Sequence, residues 1–498
     1  MKLKILCDAA GIACPAEHWE DEVDSIVTDS RAAQAGSLYV CLCGTQADGH
    51  SHAPSAVRSG ARWIVYESGR RVERLPDALY LSATDTRKAA ARLFHAWYGF
   101  PCERLRMIGV TGTNGKTTVS HMIAHILSST GRSCGLIGTL GCYLGSNRLS
   151  ADPRDPMANM TTPDPEVLYR VLAEMAEEGA EDVVMEVSSH ALVQGRVDPI
   201  RFSVSVFTNL TPEHLDFHRT MEAYANAKAM LFAASDCGIV SADSPYASRM
   251  ALAKETVYCS TDRTKSDSYA CDASFFGGER VRYTLKMPGE SVDVECPIPG
   301  SFTVINSMQA ALCAHRLGVS YEEIRTALAS MHGVRGRMER VALPLDADFT
   351  VLLDYAHTPD ALEQLLRSAW QIRSNGKGRI ILLFGCGGDR DREKRPIMGR
   401  IASHLADYVV LTSDNSRSED KKEIIKQILK GFDFSVPCTV ICDRGEAIVE
   451  AVLMAREGDL LLLAGKGHEE YELEGSVRRC FCEREIVLEA YQLRKKRM

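Results

Sequence analysis

Short apolar runs alternate along this chain with stretches whose apolar residues recur every three or four positions. Residues 106–111 read as a buried strand, and Val119, Met122, Ile123, Ile126 and Leu127 follow at helical spacing. Further strands are expected at 182–187 and 202–208. Between about 256 and 297 the pattern turns β-rich, with Met287-Pro288-Gly289 as a hairpin turn. From about Val341 a second series begins, with strand-like runs at 349–353, 379–384, 408–412, 439–442 and 459–463 separated by helical stretches. Alternation of this kind predicts a mostly parallel sheet with helices on both faces. Tyr98-Gly99-Phe100-Pro101 reads as a linker. The expectation is an α/β chain of three domains, at 1–100, 101–340 and 341–498. The central one would be a P-loop ATPase-like parallel sheet with a β-rich addition, the last Rossmann-like.

Composition supports a globular chain and excludes several classes. At 498 residues the chain exceeds one hydrophobic core, and its 45% apolar and 25% charged residues argue against disorder. A net charge of -8, from 58 basic and 66 acidic residues, gives no reason to expect nucleic acid as partner. The 17 cysteines form no C-x-x-C pair, so reduced thiols are expected rather than a zinc ribbon or disulfide framework. Asp8 interrupts a poor signal-like start, and no apolar run approaches the ~18 residues of a membrane span. A cytoplasmic protein, without membrane insertion and acting as a monomer, is the expectation.

Gly112-Thr113-Asn114-Gly115-Lys116-Thr117-Thr118 lies between a predicted strand and an amphipathic helix. Glycines let backbone N–H groups turn toward phosphate oxygens, and a helix N-terminus adds partial positive charge. Lys116 would reach the β/γ-phosphates of ATP, and the Thr117 hydroxyl would ligate Mg²⁺. Val110 stands where the usual G-x-x-x-x-G-K-[ST] spacing has glycine. Glu186 closes a predicted buried strand, where a carboxylate without a cation is costly. In the last domain, Arg390, residues 414–417 and residues 465–469 each follow a predicted strand, where open parallel sheets bind ligands. Arg390 and Arg417 with Asp414 and Glu469 would complement an amino acid; ion pairing among the four is the bland alternative.

The string G-T-N-G-K-T-T resembles that of the Mur ligases and their folylpolyglutamate synthase relatives. Further segments narrow the likeness: Asp29-Ser30-Arg31, Thr161-Thr162-Pro163, Met185-Glu186-Val187-Ser188-Ser189-His190-Ala191-Leu192 and Gln194-Gly195-Arg196-Val197. They continue with Phe207-Thr208-Asn209-Leu210, His214-Leu215-Asp216, Ala227-Lys228, Asp354-Tyr355-Ala356-His357-Thr358-Pro359 and Gly385-Cys386-Gly387-Gly388-Asp389-Arg390. Asp414-Asn415-Ser416-Arg417 and Gly465-Lys466-Gly467-His468-Glu469 complete a set that runs in family order along nearly the whole chain. Together they are similar to the Mur ligases that build the muramoyl tripeptide of peptidoglycan.

That resemblance implies an ATP-dependent amide ligase. ATP would phosphorylate the D-glutamate side-chain carboxylate of a UDP-muramoyl-dipeptide, and the amine of an amino acid would displace phosphate. Glu186 and His214 are implied as Mg²⁺ ligands beside Thr117, and Lys228 as a carbamylated lysine next to the metal. From the residues alone, His214 could equally be a surface histidine or half of a zinc pair with His218, and Lys228 a solvated helix lysine. Ser30, Thr161, Thr162, Ser188, Gln194 and Arg196 are implied as contacts to the UDP-muramoyl-dipeptide in and beside the first domain. Asn306, Arg337 and Asp354 are implied as ATP contacts, although Phe302-Thr303 stands where relatives often have Phe-Asn. Arg390, Asp414, Asn415, Ser416, Arg417, Gly465 and Glu469 would hold the amino acid. Arg417 can fork onto a distal carboxylate, which meso-diaminopimelate has and L-lysine lacks. Ser416 replaces the proline usual in diaminopimelate-type ligases. L-lysine, a folylpolyglutamate synthase, and a P-loop ATPase or kinase of another pathway remain the alternatives.

Overall fold

The computed structural model describes every residue except 45–46, 150–159, 277–279, 374–377 and 498. Strands Ser25–Val27, Ser37–Val40, Trp63–Glu67 and Leu79–Ala83 form a parallel four-stranded sheet in chain order. The helix Leu3–Ala10 packs with Thr86–Trp97 in the core beneath it, so the signal-like start is a structural helix. Asp85 caps Thr86–Trp97 by accepting from the N–H groups of Arg87 and Lys88. At the linker Gly99 and Phe100 take left-handed φ of 74° and 55°, and Pro101 opens a 3-10 turn.

The next sheet runs Glu255–Cys259, Ser235–Ser241, Phe202–Phe207, Arg106–Thr111, Asp182–Glu186, Cys134–Gly138, Gly141–Leu144 and Asn147–Arg148 in spatial order. The first six are parallel and the last two join antiparallel. Central strands are buried on both faces and therefore read as continuous apolar runs. The helix Lys116–Ser129 buries Val119, Met122, Ile123, Ile126 and Leu127, as their spacing predicts. The β-rich stretch is a three-stranded antiparallel sheet, Tyr269–Phe276, Arg280–Met287 and Glu290–Cys296. Met287 pairs with Glu290 across Pro288-Gly289, and Gly289 supplies the φ of 80° the turn needs.

The last sheet orders Glu339–Arg340, Thr350–Asp354, Leu460–Ala464, Ile380–Phe384, Tyr408–Leu411 and Cys438–Val440, all parallel but the first. Alternate residues feed two cores: Leu382, Phe384 and Leu462 on one face, Ile381, Leu383 and Leu461 on the other. The helix after Thr161-Thr162-Pro163 starts at Pro165, and the Thr162 hydroxyl donates to the Glu186 carbonyl. One local reading shifts. The edge strand Cys438–Val440 ends two residues before the expected 442, where Asp443 caps the following helix. All 17 cysteines are free, and among the described residues no helix is long and apolar enough to cross a membrane.

Candidate active site

The phosphate loop connects the strand Arg106–Thr111 to the helix Lys116–Ser129. Gly112 has φ 152°, and a Cβ there would stand 1.8 Å from the Thr208 hydroxyl, so only glycine fits. Lys116 Nζ folds back onto the carbonyls of Gly112 and Thr113, 2.9 Å from each. The Thr117 hydroxyl donates to Glu186 Oε2 at 3.1 Å and accepts from Arg337 Nη2 at 2.9 Å. Thr113 is pinned by Thr211, whose N–H donates to its hydroxyl, and Thr118 is buried in the first helical turn. The Asn114 amide donates across to Asp360 at 2.7 Å, tying the loop to the last domain.

Glu186 has no exposed surface, because Val110 pairs with it across adjacent parallel strands. Besides Thr117 it accepts from the Thr139 N–H at 2.9 Å and the Thr139 hydroxyl at 3.1 Å. Lys228, on the helix Met221–Ala233, is 1% exposed, which removes the solvated reading. Its Nζ donates to the Gly112 carbonyl at 2.8 Å, so both lysines converge on one oxygen. Burial, and then the charge of Lys116, lower the Lys228 pKa well below that of an ordinary lysine. His214 sits at φ 56°, one of several non-glycine residues in left-handed backbone at the site. Burial lowers its pKa to about 4. His218 does not join it on a common point: its Nε2 meets the Ser189 hydroxyl at 2.9 Å, and the His190 ring packs against both. Among the described residues no three His, Cys, Asp or Glu side chains converge as a metal cage. The oxygens of Thr117 and Glu186 are nonetheless donors that suit a hard cation.

Thr161, Thr162, Ser188, Gln194 and Arg196 are brought together beside this centre. Arg196 donates to Gln194 Oε1 at 2.7 Å and to the Thr162 carbonyl at 2.8 Å, and pairs with Asp164 at 3.1 Å. The Thr162 hydroxyl receives the Ser188 N–H at 3.0 Å, and Thr161 meets Thr139 at 3.0 Å. Ser30 stands apart, on the 3-10 turn Ser30–Ala32 capped by Asp29.

A cavity of about 1170 Å³ runs from the phosphate loop between the central and last domains, and Asn306, Arg337 and Asp354 line it with Tyr355. The Asn306 side chain lies against Gly115, where a Cβ would be 2.9 Å from its Oδ1. Arg337 stacks 4.7 Å over Tyr355. Asp354 accepts from the N–H groups of Met338 and Ala356 at 2.7 and 2.8 Å, holding the segments that carry both residues. Burial pushes its carboxyl up. Glu213, which the sequence reading passed over, also lines the cavity and lies 3.4 Å from His357 and 3.6 Å from His214. Burial opposes its charge, but the hydrogen bond to His357 and the cations around it hold it well below the usual carboxylate range.

In the last domain the three predicted loops do emerge side by side at the carboxyl ends of adjacent strands. The bland four-group ion pairing is absent. Asp414 and Glu469 instead face Lys466, each at 4.0 Å, and Asn415 donates to Glu469 at 2.8 Å. Burial works against charge on Asp414, yet Lys466 and Arg444 keep its carboxyl below the usual range. Glu469 is pushed up by burial and by Asp414. Lys466 is fully buried and donates to Asn415 Oδ1 at 3.1 Å and the Tyr471 carbonyl at 2.8 Å. Its place in Gly465-Lys466-Gly467 was the signal for it. Gly465 needs its φ of 113°, and a Cβ there would lie 2.7 Å from Asp414 Oδ2. Arg417, at φ 49°, donates to the Gly388 carbonyl at 2.7 Å, and Arg390 to the Asp389 carbonyl at 3.0 Å. Ser416 is buried. Neither guanidinium meets a carboxylate among the described residues, which leaves charge for a ligand.

A phosphate loop opening on an interdomain cavity, with paired carboxylates and two guanidinium groups at the strand ends of the last domain, defines an ATP-dependent ligase of three α/β domains. The chain belongs to the Mur ligase family: the family's catalytic domain matches residues 22–97, the Mur ligase middle domain residues 110–314, and the glutamate ligase domain residues 336–467. It is 42% identical to the UDP-N-acetylmuramoyl-L-alanyl-D-glutamate--2,6-diaminopimelate ligase of Gloeobacter violaceus, over 96% of this chain and 95% of that protein. The ligase of the same name from Clostridium tetani is 38% identical, covering 94% and 95%. A solved structure of a UDP-N-acetylmuramoyl-L-alanyl-D-glutamate--2,6-diaminopimelate ligase superposes with a TM-score of 0.69 at 31% identity, covering 99% of this chain and all of that one. The MurF ligase of Thermotoga maritima, at 16% identity and a TM-score of 0.62, shares the fold over 95% of this chain and 98% of its own.

Proposed function

We propose that this protein joins meso-diaminopimelate to the D-glutamate of UDP-N-acetylmuramoyl-L-alanyl-D-glutamate, at the expense of ATP, in peptidoglycan synthesis. The names its relatives carry support this reading, and so does one geometric fact: Arg390 and Arg417 donate only to backbone carbonyls and meet no carboxylate among the described residues.

ATP lies in the cavity with its phosphates on 112–118 and with Asn306, Arg337 and Asp354 around the remainder. The dipeptide's carboxylate oxygen attacks the γ-phosphorus, forming a P–O bond to the glutamyl group while the bond to ADP breaks. The neutral amine nitrogen then attacks the acyl carbon, and as the amide C–N bond forms the acyl C–O bond breaks, phosphate leaves and the surplus amine proton passes to solvent. Lys116 exchanges its two backbone carbonyls for phosphoryl oxygens and stabilises their charge as it develops. Thr117, Glu186, His214 and carbamylated Lys228 would hold Mg²⁺, which when bound neutralises phosphoryl charge. Thr161, Thr162, Ser188, Gln194 and Arg196, with Ser30 from the first domain, orient the UDP-muramoyl-dipeptide; Arg196 supplies the cation for a carboxylate or phosphate. At the strand ends of the last domain, Asp414 and Glu469 receive the ammonium of the amino acid, Asn415, Ser416 and Gly465 shape its seat, and Arg390 and Arg417 take its carboxylates.

Phosphate release from the purified protein, with ATP, magnesium and UDP-muramoyl-dipeptide, is to be measured against a panel of diamino acids. Turnover with meso-diaminopimelate far above that with L-lysine is expected. Equal turnover of the two overturns the assignment of the amino acid.

A further inference from the structure

Arg395 is fully buried in the first turn of the helix Lys394–Leu405, and no part of the chemistry above uses it. Its Nη1 donates to Glu419 Oε2 at 2.9 Å and Gln427 Oε1 at 2.8 Å, and its Nη2 to Glu419 Oε1 at 2.9 Å and the Gly387 carbonyl at 3.0 Å. Glu419 in turn accepts the Asp389 N–H at 2.6 Å. One bidentate pair thus clamps the loop that ends in Arg390 to the loop that carries Arg417.

The same two loops are stitched at four more points. The Gly388 N–H donates to the Asn415 carbonyl at 2.9 Å, and Arg417 returns a bond to the Gly388 carbonyl at 2.7 Å. Ser418 donates to Asp389 through its N–H at 3.1 Å and its hydroxyl at 2.6 Å. Asp389 and Arg417 both hold left-handed backbone, with φ of 52° and 49°, conformations that persist only where surrounding bonds over-determine them. Both terminal nitrogens of this buried guanidinium are engaged, twice each, while its Nε has no partner, and the planar fork fixes the geometry of the four bonds.

We propose that Arg395 and Glu419 are positioning residues that set the spacing of Arg390 and Arg417, and so the fit of a diamino acid with two carboxylates. The inference rests on the proposed function, since it takes both arginines to bind the incoming amino acid. Neither Arg395 nor Glu419 touches substrate.

The test is a steady-state comparison of the parent with Arg395→Met and Glu419→Gln, each substrate varied in turn. The KM for meso-diaminopimelate is expected to rise about tenfold in both variants, the effect of loosening a preorganised site. The KM values for ATP and for UDP-muramoyl-dipeptide should stay at parent levels. Glu419→Gln is nearly isosteric and decides the matter if Arg395→Met does not fold. A parent-like KM for diaminopimelate in an active variant, or a uniform rise in all three KM values, overturns the inference. A parent enzyme that turns over no amino acid sinks the proposed function, and this inference with it.

Discussion

Lys116 and Lys228 approach the same carbonyl oxygen, that of Gly112, at 2.9 and 2.8 Å. Two ammonium groups crowded on one acceptor in a buried site repel, and the deeper one gives up its proton more readily. Only a neutral amine adds CO₂; the N–C bond that forms releases a proton and turns a cation site into an anion. On this account Lys228→Ala loses most activity, bicarbonate does not restore it, and short carboxylic acids do so in part; full activity in the plain alanine variant contradicts it. Arg417→Ala removes a charged hydrogen bond worth about 1.5–3 kcal/mol, so the KM for meso-diaminopimelate should rise roughly ten- to a hundredfold. Legibility at this scale divided sharply. Residues inside strings such as 112–118 or 414–417 could be named from the sequence, because the chemistry demands those types at that spacing. Thr139, Glu213 and Arg395 belong to no such string. Thr139 reaches Glu186 only because the strands Cys134–Gly138 and Asp182–Glu186 are neighbours, a fact of topology rather than of local pattern.

Strands buried on both faces were the easiest elements to read. Leu460–Ala464 and Ile380–Phe384 have no polar position to obscure them, and each lies within a residue of where its apolar run predicts. Helix starts were harder: the Thr162 hydroxyl donates to the Glu186 carbonyl, and the helix that follows starts at Pro165. Close approach between loops was not readable at all. Gly388 illustrates the point: a Cβ there would meet the Ser416 carbonyl oxygen at 1.8 Å, and backbone cannot step aside as a side chain can. Gly388→Ala should cost roughly 1–3 kcal/mol, as overpacking does, and a melting curve should fall by several degrees. The clamp beside it carries a pH signature. Its bonds to Arg395 lead the causes that pull the Glu419 carboxyl from 4.5 down to about 2. A carboxyl depressed in the folded state contributes stability above its unfolded value and loses it as pH falls. Acid titration followed by the melting temperature should therefore show parent and Glu419→Gln converging between about pH 4.5 and about pH 2.

The cavity exists only where two domains meet. Thr117 and Arg337 are 220 residues apart, Asn114 and Asp360 are 246, and both pairs bridge the phosphate loop to the far wall. The second and third domains were legible from their alternation of strand and helix and the first only from the linker at 98–101, but how they close on one another was not. Closure depends on single polar contacts with no sequence period. Arg337→Ala should raise the KM for ATP while leaving that for the amino acid in place, read by varying each substrate separately. The net charge of -8 likewise misses the local picture, in which Lys116 and Arg337 stand at the phosphate loop where phosphates would sit. The chemistry claimed for the whole molecule is transfer of a phosphoryl group to a carboxylate before the amide forms. It is tested most directly by supplying UDP-muramoyl-dipeptide labelled with ¹⁸O in its D-glutamate side-chain carboxylate and weighing the phosphate released. One labelled oxygen carried into the phosphate is the predicted result. Amide product accompanied by wholly unlabelled phosphate would contradict it.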